Sequence, residues 1–131
     1  MNREYEKVRE FHLRFGSPHA DSPKLLGRDR VKKRSDWMRE EIDELNEAQD
    51  IYEQADAMID LIYFALGTLV EMGVKPDELF DIVHEANMSK LFEDGTAHSN
   101  QSTKIIKPPN WQDPKPKLIR AIDSMKIPEE S

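Results

Sequence analysis

The stretch from Trp37 to Tyr63 limits most strongly what this chain can fold into. Nine carboxylates lie between Glu40 and Asp60, and no Lys or Arg occurs between Glu40 and Val74. Packed together without a cation, so many like charges would repel each other. A divalent metal ion is the natural group to neutralise them, so the stretch indicates a metal site.

Helical spacing sharpens this interpretation. At 3.6 residues per turn, Trp37, Glu41 and Glu44 share one side of a predicted helix, beside an apolar stripe. In the following helix one narrow strip carries Glu53, Asp56, Asp60, Gly67 and Glu71. The rest of its circumference is apolar, so we expect it to be mostly buried, with the strip facing a partner helix or a cleft. A solvated acidic face is the alternative interpretation.

Length and composition exclude several classes of protein. The 131 residues suit one domain, with a predicted core of about 2–92 and a tail of 93–131. A net charge of −7 argues against a nucleic-acid partner, and the lack of Cys excludes disulfides and thiolate chemistry. The charged N-terminus is unlike a signal peptide, and no apolar run reaches the roughly 18 residues of a membrane span. We expect a cytoplasmic protein without a membrane partner.

Apolar periodicity and helix-stop signals predict an all-α fold, a bundle of four main helices followed by a Pro-rich C-terminal tail. The predicted helices cover about 2–14, from 25–29 to about 49, about 51–72, and from 75–78 to 90–92. In the tail, Asp94-Gly95 is a hairpin signal, and a short strand at Thr103–Ile106 and a short helix at Leu118–Met125 are predicted.

The second helix begins basic and ends acidic, against the preference of the helix dipole. Arg30 and Arg34 fall on the same side as Trp37 and Glu41. We interpret this arrangement as a means to grip an anionic ligand that is held by metal ions. A solvated basic face is the alternative.

Four motifs occur in a fixed order along the chain. They are Glu40-Glu41-Ile42-Asp43-Glu44-Leu45, then Ala55 to Tyr63 with Gly67-Thr68, then His84 to Lys90, and last Lys107-Pro108-Pro109-Asn110-Trp111. Together they resemble the all-α nucleoside triphosphate pyrophosphohydrolases, the MazG-like and phosphoribosyl-ATP-pyrophosphohydrolase-like superfamily. The resemblance covers roughly Phe11 to Trp111.

The resemblance implies a helical bundle, assembled as a homodimer or as a dimer of dimers. It implies an enzyme that splits a (d)NTP into the monophosphate and pyrophosphate with Mg²⁺ or Mn²⁺, a role in nucleotide-pool sanitation. A phosphoribosyl-ATP pyrophosphohydrolase and a non-catalytic helical interaction module are the alternatives. The base and sugar preference stays open.

The family's metal motif pairs Glu-x-x-Glu on one helix with Glu-x-x-Asp on the next. The first half matches Glu41 and Glu44. The second half of the motif occurs letter for letter at Glu53 and Asp56. Alignment on Leu61-Ile62-Tyr63 instead places the aspartate of the motif at Asp60 and puts Ala57 at the position of its glutamate. We therefore predict as metal ligands Glu41, Glu44, Asp56 and Asp60, with Glu53 as the second choice.

Further roles come from the same resemblance. Glu40 and Glu41 are the predicted catalytic residues, with Glu40 orienting or deprotonating the attacking water; an exposed surface carboxylate is the alternative for Glu40. The predicted substrate-binding residues are Asn87, Lys90 and Lys107, together with Arg34, which is added because it lies on the same side of the second helix as Glu41. Asn87 and Lys90 match an Asn-x-x-Lys motif of the family, and Lys107 lies in the tail expected to close over the nucleotide.

Overall fold

The structure is a computed structural model that describes residues 1–102 and 104–128. These residues form five helices and one short hairpin: α1 (Asn2–Phe15), α2 (Arg28–Glu47), α3 (Ile51–Met72), α4 (Asp77–Met88), β1 (His98–Ser99), β2 (Ile105–Ile106) and α5 (Lys115–Met125). The predicted all-α class is confirmed. The described residues form two compact units, 1–76 with 125–128, and 77–102 with 104–124. The single domain inferred from chain length stays a prediction.

The apolar core of the first unit joins α1 to α3. Tyr5 and Val8 of α1 are buried against Leu66 and Val70 of α3. Each pair is spaced by three or four residues, so its members share one helix face. Full burial of such side chains contributes about 1.5–3 kcal/mol each, which is enough to fix α1 on α3.

The connector between α1 and α2 completes the hydrogen bonding at the end of α3. The backbone N–H groups of Ala20 and Lys24 donate to the carbonyls of Val70 and Met72, at 3.1 and 2.9 Å. The last carbonyls of a helix have no partner four residues further on inside the helix, and the Val70 carbonyl also accepts from the cap residue Gly73 at 3.2 Å. Gly73 ends α3 in the left-handed conformation, and a Cβ there would lie 2.6 Å from the Ser22 carbonyl oxygen. The predicted stop at Gly73 is confirmed.

A buried ion-pair cluster, formed by Arg30, Arg34 and Glu71, joins α2 to α3. Glu71 is 1% exposed. Its carboxylate accepts two hydrogen bonds from Arg30, at 2.8 and 2.9 Å, and lies 3.2 Å from Nη1 of Arg34. The Trp37 ring packs on both guanidinium groups, with centroid distances of 5.6 and 5.1 Å. Hence one buried anion holds two cations of the neighbouring helix in place.

Arg34 reaches further along α3 than this ion pair. Its Nε donates to the Thr68 hydroxyl at 3.1 Å, and its Nη2 donates to the Phe64 carbonyl at 2.9 Å. A Cβ on Gly67 would collide with the Arg34 guanidinium. The bare backbone at Gly67 is therefore what lets Arg34 lie against α3.

The second unit contains α4, the hairpin and α5. In the hairpin His98 pairs with Ile106 and Ser99 with Ile105, in antiparallel register. Asp94-Gly95 forms a separate turn upstream, because the Asp94 carboxylate accepts from the backbone and side chain of Thr96. The hairpin turn lies after Ser99 instead, where the Asn100 side chain accepts hydrogen bonds from the residues that follow it. The predicted strand is found only at Ile105–Ile106, and Thr103 lies outside the described residues.

Two expectations about α3 and α4 are corrected. Instead of being mostly buried, α3 exposes Ile51, Tyr52 and Ile59 at 69%, 80% and 61%. Among the described residues of the first unit, α1 and α2 pack along α3 and leave part of its apolar circumference open. The last helix residue of α4 is Met88, because the chain turns at Ser89, whose hydroxyl donates to the Ala86 carbonyl.

None of the helices in the described part of the chain has, by itself, the length and apolar composition of a membrane span. The bent pair formed by α3 and α4 has both when the two helices are counted together.

The Gly67→Ala substitution should lower the free energy of unfolding by about 1–3 kcal/mol, because the new methyl group displaces Arg34 from its partners on α3. Urea unfolding followed by circular dichroism measures the change. Gly27→Ala is the matched control, since a Cβ there has no heavy atom within 4 Å. Equal stability of the Gly67→Ala and Gly27→Ala proteins would contradict the proposed fit.

Candidate metal centre

Three carboxylates from α2 and α3 converge at one point of the first unit. Glu41 and Glu44 lie one turn apart on α2, and Asp60 faces them from α3. One oxygen of each lies within 4.8 Å of the other two. We call these three residues the acidic cluster.

The three members of the acidic cluster differ in exposure. Glu41 is buried, Asp60 is half-buried and Glu44 is exposed. Within the described part of the chain, Oε2 of Glu41 is buried and has no hydrogen-bond partner. A buried carboxylate oxygen without a partner loses its hydration and gains nothing in return. The cluster therefore opens to solvent on the Glu44 side and lacks a counter-charge on the Glu41 side.

The pKa values report the same lack of a counter-charge. Burial, followed by a hydrogen bond to Glu44 and the charges of Glu44, Asp60 and Asp56, raises the pKa of Glu41 to about 7. Burial, followed by the charges of Asp56 and Glu44, also raises the pKa of Asp60. Without a cation, the cluster thus retains a proton near neutral pH.

The donor set suits a hard divalent cation. Mg²⁺ binds carboxylate oxygens at about 2.0–2.1 Å, so oxygens on opposite sides of the ion lie about 4 Å apart. The three ligand oxygens lie within 4.8 Å of one another, which is close to that separation. Glu41, Glu44 and Asp60 can therefore hold a metal ion, with the unpartnered oxygen of Glu41 as one ligand.

The other predicted acidic residues lie around the cluster. Asp56 is exposed and outside the group of three, but its charge reaches both Glu41 and Asp60. The Glu53 carboxylate accepts a hydrogen bond from the Gln49 backbone at 2.8 Å, at the capped start of α3. Glu40 is exposed on α2, next to Glu41. The assignment of Asp56 as a ligand and Glu40 as a catalytic residue stays a prediction.

Arg34 belongs to the buried ion-pair cluster with Glu71, about two turns before Glu41 on the same side of α2. Its proposed contact with substrate stays a prediction. Sequence reasoning placed Arg30 and Arg34 on the same side as Glu41 but did not identify Glu71 as their partner. The sequence contained a signal for this pairing. Glu71 is the last residue of the acidic strip of α3, and the N-terminal half of α2, which carries Arg30 and Arg34, is basic.

The remaining predicted substrate residues belong to the second unit. Asn87 is exposed near the end of α4, and Lys90 follows that helix. Lys107 follows β2, and the ammonium groups of Lys90 and Lys107 both lie over the Trp111 ring. Sequence reasoning did not foresee this shared contact. The role of these residues in binding substrate stays a prediction.

Comparison with known proteins gives consistent results. A family model described as phosphoribosyl-ATP pyrophosphohydrolase matches residues 8–87, which include the acidic cluster. A crystal structure of a protein from Exiguobacterium sp. 255-15, assigned as an NTP pyrophosphohydrolase, is 30% identical to this chain. The match covers 92% of this chain and 94% of that one, with a TM-score of 0.51. A comparison with curated proteins gives no match.

The raised pKa of Glu41 predicts a pH-dependent stability of the metal-free protein. Unfolding returns Glu41 to its ordinary value of 4.5, whereas the folded state holds the proton to about pH 7. Between these values the folded state binds more protons, so stability should fall as the pH rises from 4.5 to 7.

Urea unfolding in the presence of a chelator, at several pH values across this range, measures the effect. Glu41→Gln has no proton to lose and should flatten this part of the profile, while the adjacent exposed Glu40→Gln should follow the wild type. Parallel profiles for wild type and Glu41→Gln would contradict the assignment.

Proposed function

Since the chain belongs to the phosphoribosyl-ATP pyrophosphohydrolase family of all-α NTP pyrophosphohydrolases and is therefore a hydrolase of pyrophosphate bonds, we propose that it splits a (d)NTP into the monophosphate and pyrophosphate. We propose Mg²⁺ or Mn²⁺ as its cofactor and nucleotide-pool sanitation as its role. The observation that carries the proposal is the acidic cluster, with its buried and unpartnered Glu41 oxygen.

The reaction sets clear requirements for the protein. Water adds to the α-phosphorus, the bond to the bridging oxygen breaks, and pyrophosphate leaves with negative charge. A divalent cation bound at the acidic cluster would supply charge neutralisation at the phosphate oxygens. Glu41, Glu44 and Asp60 would hold the cation, and Asp56 would add negative charge beside them.

The chain's own groups carry the proton transfer and part of the substrate binding. Glu40 projects from the same helix as the cluster and is exposed, so its carboxylate is available to accept the proton of the attacking water. Lys90 supplies a compact positive charge for phosphate, and Asn87 supplies an amide for phosphate or sugar. We assign Arg34 chiefly to alignment of α2, because Glu71, Thr68 and the Phe64 carbonyl occupy its donors.

Assembly into homodimers or homotetramers is part of the proposal. The apolar side chains that α3 leaves exposed support it, because large exposed apolar surfaces mark contact sites. A closed symmetric assembly would bury them. The predicted number of chains follows from the family resemblance.

Phosphoribosyl-ATP is the second candidate substrate, because the matching family model carries that description. Both candidates require hydrolysis of the same type of phosphoanhydride bond at a triphosphate. They differ at the base, because phosphoribosyl-ATP carries an additional phosphoribosyl group on its adenine ring.

Glu44→Gln and Asp60→Asn should each lower Mg²⁺-dependent pyrophosphate release by about 100-fold or more. Loss of residues that merely support metal ligands lowers activity 10–100-fold, and loss of a ligand should do at least as much. A coupled pyrophosphate assay measures the rate, and circular dichroism checks folding. Glu47→Gln, an exposed carboxylate of α2 outside the cluster, is the matched control. Folded and fully active Glu44→Gln and Asp60→Asn proteins would refute this site.

A substrate panel should separate the two candidate substrates. We expect pyrophosphate release from at least one canonical or modified (d)NTP, with a higher kcat/KM than for phosphoribosyl-ATP. The assay is run with Mg²⁺ and then with Mn²⁺. Higher activity on phosphoribosyl-ATP would establish the second candidate, and release of pyrophosphate from no substrate would favour a non-catalytic interaction module.

A further inference from the structure

Two cavities of the first unit adjoin each other on one side of α2. The first, the inner cavity, has a volume of about 170 Å³ and reaches from the connector before α2 to α3. The second, the outer groove, has a volume of about 620 Å³ and follows the N-terminal half of α2. They share the lining residues Leu25, Leu26, Val31 and Ser35. One ligand can therefore occupy both.

The inner cavity offers mainly apolar surface to a ligand. Besides the shared residues, it is lined by Met38 and Met72 and by the polar residues Arg34 and Thr68. These two are already bonded within the first unit, because Arg34 donates to the Thr68 hydroxyl, which donates to the Phe64 carbonyl at 2.8 Å. Apolar cavities of similar size, ~150 Å³, bind small hydrocarbons. The inner cavity therefore suits part of an apolar chain.

The outer groove is cationic, although the whole chain carries a net charge of −7. Its lining includes the cations Arg28, Lys32 and Arg39, which share one face of α2, and the carboxylate of Asp29. Lys32 and Arg39 both contact Asp36, at 2.9 and 3.2 Å. Arg28 is exposed and forms no ion pair within the described part of the chain. The groove thus keeps an excess of positive charge, with Arg28 available for an anion.

Leu25 lies where the two cavities join, and its side chain is almost fully in water. At 95% it is the most exposed large apolar residue in the part of the chain that the structure describes. A ligand that enters the inner cavity beside Leu25 removes this apolar surface from water, which favours binding. Small-molecule sites combine apolar walls with a few polar groups that fix the ligand. The two cavities together provide that combination.

We propose that the inner cavity and the outer groove form one binding site for an anionic amphiphile with a single apolar chain. The apolar chain packs against Leu25 and Met72, and the carboxylate or phosphate head binds Arg28 and Lys32. A free molecule is favoured over an anionic bilayer, because such a surface repels a protein of net charge −7. The site is separate from the acidic cluster and goes beyond the proposed function.

Binding of decanoate to the full chain tests the proposal. Isothermal titration calorimetry, well below the concentration at which decanoate forms micelles, should show one saturable site. The melting temperature should rise with decanoate concentration, because the site exists only in the folded state. Acetate has the head without the chain, and 1-decanol has the chain without the charge. Each should bind at least about tenfold more weakly than decanoate.

Two substitutions probe the two halves of the site. Arg28→Gln should weaken decanoate binding about fivefold, because the head loses a cation that has no other partner. Leu25→Ser should also weaken it about fivefold through the loss of apolar contact. Both side chains are exposed, so neither variant should lose its fold, and circular dichroism verifies this.

Each substitution has a matched control. Lys33→Gln removes an exposed cation of α2 that lines neither cavity, and Ile51→Ser removes an exposed apolar side chain of α3 outside both. Both control variants should bind decanoate as the wild type does. Equal losses in the control variants would show adsorption without a site and overturn the proposal.

Three further results decide the proposal. The lack of saturable decanoate binding in the wild type, or equal affinity for 1-decanol, would overturn it. Binding to vesicles of anionic phospholipid without binding of free decanoate would also overturn it, because the surface would then recognise a bilayer. The expected pattern in a protein that cleaves no nucleotide would support the site and contradict the proposed function alone.

Discussion

The buried carboxylate of Glu71 is the constraint on which the arrangement of α2 and α3 depends. It binds Arg30 and Arg34, two positions one turn apart on α2, and is itself almost fully shielded from water. Removal of one partner from such a buried pair costs about 3–5 kcal/mol, because the remaining charge stays buried without a counter-charge. A shift of one helix along the other would have the same effect, so the ion pair fixes the register of the two helices.

From that register the acidic cluster follows. The two helices run antiparallel, so each turn further along α2 faces a turn that lies earlier in α3. Trp37 packs against Phe64, with ring centroids 5.9 Å apart, and Glu41 then meets Asp60. Glu71 pairs with Arg30 and Arg34 in the basic half of α2, whereas the acidic half of α2 meets further negative charge on α3. Burial and this excess of negative charge together raise the pKa of Glu41, and they make the acidic cluster a candidate site for a cation.

The sequence was sufficient for the helices and for much of the site. Apolar spacing and the stop at Gly73 predicted α3 with its observed bounds. Helical geometry placed Glu41 and Glu44 on one side of α2 and Asp60 on one strip of α3, and the metal motif of the family joined them in one predicted site. Spacing along a single helix does not report which level of one helix faces which level of another. For that reason the partnership of Glu71 with Arg34 was not foreseen, and Asp56 and Asp60, on the same strip, were not separated. The meeting of Lys90 and Lys107 at Trp111 also depends on a chain reversal that local patterns do not encode.

The central claim is that Glu41, Glu44 and Asp60 hold one divalent cation, and anomalous diffraction from crystals grown with Mn²⁺ tests it most directly. The account predicts an anomalous peak within about 2.0–2.6 Å of a carboxylate oxygen of each residue, the range of hard-cation ligand distances. A peak bound elsewhere, or an acidic cluster without a peak at saturating Mn²⁺, would contradict it.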